Sequence, residues 1–132
     1  MKKIPIILLA FWLIFLTGCS TNNNKISQSE LFEKKKECFT YKDDLQKGID
    51  KSQNEIENAD WYYYERIVEI FYSPTKNSCF AITNERSSRD RKEYNDYDWI
   101  IDLLSNEKTN YNRKNNDEMI YFSEKVKELK WE

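Results

Sequence analysis

The chain has 132 residues, a formal net charge of −2 and 33% charged residues of both signs, which is enough for one small domain and gives no basic field to gather nucleic acid. It contains no histidine, two glycines and two prolines, which excludes histidine-based catalysis, histidine-containing zinc sites and glycine-rich phosphate loops. No cofactor, catalytic residue or metal ligand is expected.

Lys2 and Lys3 precede Ile4 to Leu16, an apolar run broken only by Pro5, and the small-residue segment Thr17-Gly18 follows before Cys19. A charged start, an apolar middle and a small-residue end are the parts of a secretory signal. The run is shorter than the ~20 apolar residues a spanning helix needs. Residues 1–18 are therefore expected to be a signal peptide. Leu16-Thr17-Gly18-Cys19 resembles the lipobox of bacterial lipoproteins at every position. The resemblance implies diacylglyceryl transfer to the Cys19 sulfur, cleavage after Gly18 and a mature chain that starts at lipidated Cys19. Its acyl chains, palmitate among them, would hold the protein to the cell envelope, since two or three chains make a durable anchor where one does not. Ser20, not aspartate, follows the cysteine, which implies the periplasmic face of the outer membrane in a Gram-negative host and the outer face of the cell membrane in a Gram-positive one. An ordinary secretory signal that happens to end beside a cysteine is the alternative.

Residues 19–28 read as the lipidated cysteine and a flexible polar tether, and 29–132 as a single α+β domain. Ser27 and Glu30 fit a capping box, and Leu31, Phe32, Cys38, Phe39, Leu45, Ile49 and Ile56 recur at helical spacing. The pattern predicts one helix from about Gln28 to Asn58, with a kink or a break expected near Gly48. "WYYYERIVEIFYS", from Trp61, then predicts a strand in which Arg66, Val68, Ile70 and Tyr72 share one face. "SPTKNS" is a turn, and "CFAITNER" is the second arm of a hairpin. The charged stretch "ERSSRDRKEYND" reads as a solvated loop. "YDWIIDLL" predicts a third strand with Tyr97, Trp99, Ile101 and Leu103 on one face and Asp98, Ile100 and Asp102 on the other. Asn115 or Asn116 can cap a last helix bearing Met119, Phe122, Val126 and Leu129. The expected architecture is α-β-β-β-α, an N-terminal helix, a three-stranded antiparallel sheet and a C-terminal helix, with both helices on one sheet face.

Cys38 and Cys79 remain once Cys19 is lipidated, and in an exported chain a disulfide between them is the natural reading, with two buried free thiols as the alternative. A catalytic thiol is disfavoured, because neither lies in a C-x-x-C pair and no histidine is present to activate it. "FYSPTKNSC" resembles a hairpin in small bacterial envelope and mobile-element proteins, which often carry a later "DLL" strand, here Asp102-Leu103-Leu104. That resemblance implies the fold and the disulfide and brings no activity.

Two further features stand out. Asp90, Asp96, Asp98 and Asp102 are the acidic cluster most like a metal site, yet they lack the order and glycine of a calcium loop. Trp61, Tyr62, Tyr63 and Tyr64 place rings on both faces of a strand, either as core and edge cover or as an interaction surface carried by Trp61, Tyr62 and Tyr64. The function expected is a tethered, non-enzymatic binding module for an envelope protein or the cell wall, of undetermined oligomeric state. The alternative is a small hydrolase using acidic residues such as Glu65, Glu69 and Asp102.

Overall fold

The computed structural model describes residues 26–56, 60–90 and 92–130. The expected signal peptide, Cys19, the tether up to residue 25 and the predicted helix end at Asn58 lie outside the described residues.

The elements in order are α1 (Gln28–Thr40), α2 (Lys42–Ile56), β1 (Trp61–Ser73), β2 (Ser78–Arg89), β3 (Glu93–Asp102), β4 (Lys108–Asn112) and α3 (Asn116–Lys130). The strands form one antiparallel sheet in the order β1-β2-β3-β4. The fold is α+β, with four strands where three were expected.

α1 starts where its cap chemistry predicts, the Ser27 hydroxyl accepting from the Glu30 amide at 3.2 Å. The predicted single helix is two, and the break falls at Tyr41 and not at Gly48. The Tyr41 amide closes the end of α1 on the carbonyls of Cys38 and Phe39, while the Tyr41 carbonyl accepts from Leu45 in the first turn of α2. Asp43 and Asp44 favour a helix start there by meeting its exposed amides with negative charge. Gly48 lies exposed inside α2 with nothing near its missing Cβ, so its flexibility is not used. The predicted apolar row also divides. Leu31, Cys38 and Ile49 are buried, but Phe32 and Phe39 are 66% and 59% exposed, one helical step round from the stripe that Cys38 pulls onto the sheet.

β1 and β2 turn through Pro74–Asn77, with Asn77 at φ 48°, a left-handed position asparagine tolerates. Their ladder slips between Ile67 and Glu69, so Val68 is an extra residue on β1. The bulge overturns the predicted face. Ile67 packs with Ile70 and Tyr72, Val68 is 55% exposed, and Arg66 lies on the opposite side beside Asn84.

The helices lie on opposite faces of the sheet, not on one. Tyr72, Cys79, Ala81 and Ile101 join Leu31 and Cys38 of α1 in one cluster. Their neighbours Phe71, Phe80 and Ile100 point the other way and meet Phe122, Val126 and Leu129 of α3 in a second. Alternation in β3 divides as predicted, with Trp99, Ile101 and Leu103 on the first cluster and Ile100 on the second.

The charged stretch taken for a loop is mostly strand. β2 runs on to Arg89 and β3 begins at Glu93, leaving a short turn with Asp90 at φ 60°. Cross-strand partners Arg86 and Asp96, and Arg89 and Glu93, carry opposite charges, which stabilises the ladder. β4 is a short polar edge whose extended form comes from pairing with β3 between Ile101↔Lys108 and Tyr97↔Asn112. At the other edge, the Gln53 amide of α2 donates to the Glu65 carbonyl at 2.9 Å and covers part of β1.

The disulfide joins Cys38 of α1 to Cys79 of β2, with Cα atoms 5.3 Å apart and a sequence separation of 41. Both cysteines are buried inside the first cluster.

Candidate functional site

α3 covers only the end of its sheet face near the β1–β2 turn. The other end of the same face is built from alternate residues of three strands: Tyr62, Tyr64 and Arg66 of β1, Asn84 and Arg86 of β2, and Tyr94, Asp96 and Asp98 of β3. Arg113, just past β4, reaches in from the far edge.

The bottom layer is polar, with Asn84 and Asp98 buried and Asp96 half-buried. The Asn84 amide donates to Asp96 at 3.2 Å and to Asp98 at 3.3 Å, and so bridges the two carboxylates. Arg86 Nη2 donates to Asp96 Oδ2 at 2.9 Å, while Arg113 lies 3.5 Å from Asp96 and 3.4 Å from Asp98. Above this layer the Tyr62 and Tyr94 rings meet edge to face at 5.7 Å, and Arg86 lies over the Tyr94 ring at 5.8 Å.

The two aspartates respond oppositely to this setting. Burial pushes Asp98 above the usual carboxylate range, and Arg113 and Asn84 only partly offset it. Burial also pushes on Asp96, but hydrogen bonds from Arg86 and Asn84 and the charges of Arg113 and Arg86 outweigh it and hold that carboxyl low.

The aromatic run straddles the sheet. Tyr64 is 44% exposed, Tyr62 is half-buried against Tyr94, and both lie on the open face. Trp61 and Tyr63 lie on the other face. Trp61 is exposed under Arg89 at 5.9 Å, and the Tyr63 hydroxyl donates to Glu65 at 2.6 Å. Burial first, then that hydrogen bond and the Glu65 charge, push the Tyr63 phenol well above its ordinary range.

Of the acidic residues singled out in the sequence, Asp96 and Asp98 come together and the others lie apart. Glu65 accepts from Tyr63 and Thr83 on the α1 face, Glu69 pairs with Lys130 of α3, and Asp102 sits at the far end of β3. Asp102 organises a turn, accepting from the Ser78 hydroxyl at 2.6 Å and from the Leu104 and Ser105 amides. Asp90 stands in the β2–β3 turn, apart from Asp96 and Asp98. Among the described residues no three potential ligands gather as a metal site.

No protein-family model, curated protein or solved structure matches this chain. The site therefore stands on its geometry alone. Two grooves of about 300 and 280 Å³ lie elsewhere, one along β1 between Phe39 and Lys130 and one between Phe80, Thr109 and Leu129. Arg66, Arg86, Tyr94 and Arg113 were not singled out in the sequence, because only strand pairing makes neighbours of residues so far apart in the chain. Cross-strand charge complementarity between "ERSSR" and "EYNDYD" is the signal that could have found them.

A pH dependence follows. Burial raises the Asp102 carboxyl, but the Ser78 hydroxyl and the Leu104 and Ser105 amides hold it below its usual range, as the Asp96 partners hold Asp96. Depressed groups contribute stability that is present above their unfolded value of about 4 and is lost as pH falls through the folded one. Asp98, raised, opposes them in the same acid range by favouring the fold when protonated. Thermal melts are expected to fall in Tm between about pH 4 and pH 2. In Asp102→Asn that acid limb should flatten, and an unchanged limb would show that Asp102 is not held low.

Proposed function

We propose that this chain is a bacterial envelope lipoprotein, anchored to the membrane by acyl chains on Cys19, and that its folded domain is a non-catalytic binding module. The observation that carries the binding reading is the half of the sheet that no helix among the described residues covers, where Tyr62, Tyr64 and Tyr94 stand among Arg66, Arg86 and Arg113. Tyrosine and arginine are the residue types most enriched where interfaces concentrate their binding energy. The lipobox resemblance supports the anchor, and a composition without histidine leaves few groups for catalysis. The partner on this reading is an envelope protein or the cell wall.

The test is capture from cross-linked envelopes with the tagged protein. Tyr64→Ala is expected to reduce capture about tenfold or more while stability stays within about 1 kcal/mol, as exposed substitutions usually do. Tyr62→Ala should also reduce capture, with a larger loss of stability because it gives up the Tyr94 contact. In the same strains, Cys19→Ala should leave an unprocessed precursor without acyl mass. Undiminished capture by Tyr64→Ala would remove the surface from consideration, and normal cleavage of Cys19→Ala would remove the anchor.

A further inference from the structure

A buried carboxylate, Asp98, and a half-buried one, Asp96, support two outward-facing guanidinium groups on this half of the sheet. The Asp96 and Asp98 side chains are 14% and 10% exposed, while those of Arg86 and Arg113, which they hold, are 51% and 43% exposed. The acid is beneath and the base is above. Arg66, also exposed, lies on the same face beside Asn84, close enough to Asp98 for its charge to be felt. Three arginines are therefore far more open to solvent than the two aspartates beneath them.

Burying charge on a sheet face is an unfavourable way to stabilise it, since well-packed apolar residues of similar volume do as well or better. The buried layer does, however, fix the guanidiniums in space. Arg86 engages Asp96 through Nη2 alone, so the remaining N–H groups of its fork point away from that carboxylate. A preoriented guanidinium loses less freedom on binding, and its planar fork matches a carboxylate in two parallel hydrogen bonds. Tyr62 and Tyr64 stand beside this row on β1 and supply apolar area with a polar tip.

We infer that this half of the sheet docks an acidic segment of a protein partner, its Asp or Glu carboxylates engaging Arg66, Arg86 and Arg113 while Tyr62 and Tyr64 pack alongside. The inference rests on the binding-module reading and names the partner's chemistry. Charge complementarity selects the occupant: what the surface presents is cationic although the whole chain is net negative.

The probe is a fluorescently labelled hexaglutamate peptide, titrated by anisotropy into the full-length protein in detergent, with labelled hexalysine as its counterpart. Hexaglutamate is expected to bind, to weaken as salt is raised, and to lose at least tenfold in affinity in Arg66→Glu and in Arg86→Gln, while hexalysine does not bind. Arg86→Gln keeps a donor for Asp96. If that variant melts early, Arg66→Glu decides, because Arg66 lies outside the bonded Asp96–Asp98 network. Absent binding, or unchanged affinity in Arg66→Glu, overturns the inference. Complete competition by inorganic phosphate at matched charge also overturns it, because the site would then take any anion. If hexaglutamate fails while Tyr64→Ala still loses the captured partner, the acidic-segment inference falls and the binding module stands; if both fail, both fall.

Discussion

Replacing Cys38 and Cys79 together by alanine is expected to lower stability by about 4 kcal/mol, the loop-closure entropy that a bridge across 41 residues removes from the unfolded chain. The bond ties α1 to β2, and without it one cluster loses the covalent link between its helical and sheet halves. Folded proteins have only about 5–15 kcal/mol to lose, so the effect is a large fraction of the whole. Urea denaturation of the wild type with and without reductant, beside the double variant, measures it. The reduced wild type and the variant should shift together, by an amount corresponding to several kcal/mol. A shift under about 1 kcal/mol in both would mean that packing of Leu31, Tyr72 and Ala81 holds α1 without help.

Leu129→Ala is expected to cost about 2–5 kcal/mol, the range for truncating a buried leucine. Leu129 is 1% exposed and is the only fully buried residue of α3, seated on Phe80 and Ile100 with Phe122 and Val126 beside it. The remainder of that helix turns mostly polar residues to solvent. Without Leu129, the second cluster keeps its sheet half and loses the centre of its helical half. Denaturant unfolding should show the loss, and native-state hydrogen exchange should show α3 amides opening before those of β2. Equal protection of α3 in the variant would mean that its caps and the Lys130–Glu69 pair hold it in place.

β1 was legible to the residue because its β-branched and aromatic run has no competing helical period, and the turn after it because proline and asparagine act locally. The cap at Ser27 and the start of α3 after Asn115 were legible for the same reason: one side chain meets amides two or three residues away. The candidate site was legible in Tyr62 and Tyr64 of β1 and, as acidic residues without their partners, in Asp96 and Asp98 of β3. Tyr62 and Tyr64 stand out as neighbours in sequence, whereas Arg86, Asp96 and Arg113 become neighbours through pairing. Read alone, "ERSSRDRKEYND" has the polarity of a loop, and nothing local says that Arg86 will face Asp96.

The sequence by itself determined the class of fold, the full span of β1, the apolar centres of β2 and β3, the alternation of β3 and the pairing of Cys38 with Cys79. These follow from periodicity, local hydrogen bonding and the small number of cysteines, which act within a few residues or depend on composition. The tertiary structure alone decided the bulge at Val68, the fourth strand and the division of the helices between the two faces. Each of these depends on a partner distant in the chain. A ladder slips or extends according to what the neighbouring strand offers in hydrogen bonds and charge. A helix chooses its buried stripe, Leu31 and Cys38 over Phe32 and Phe39, according to the surface it is bonded to.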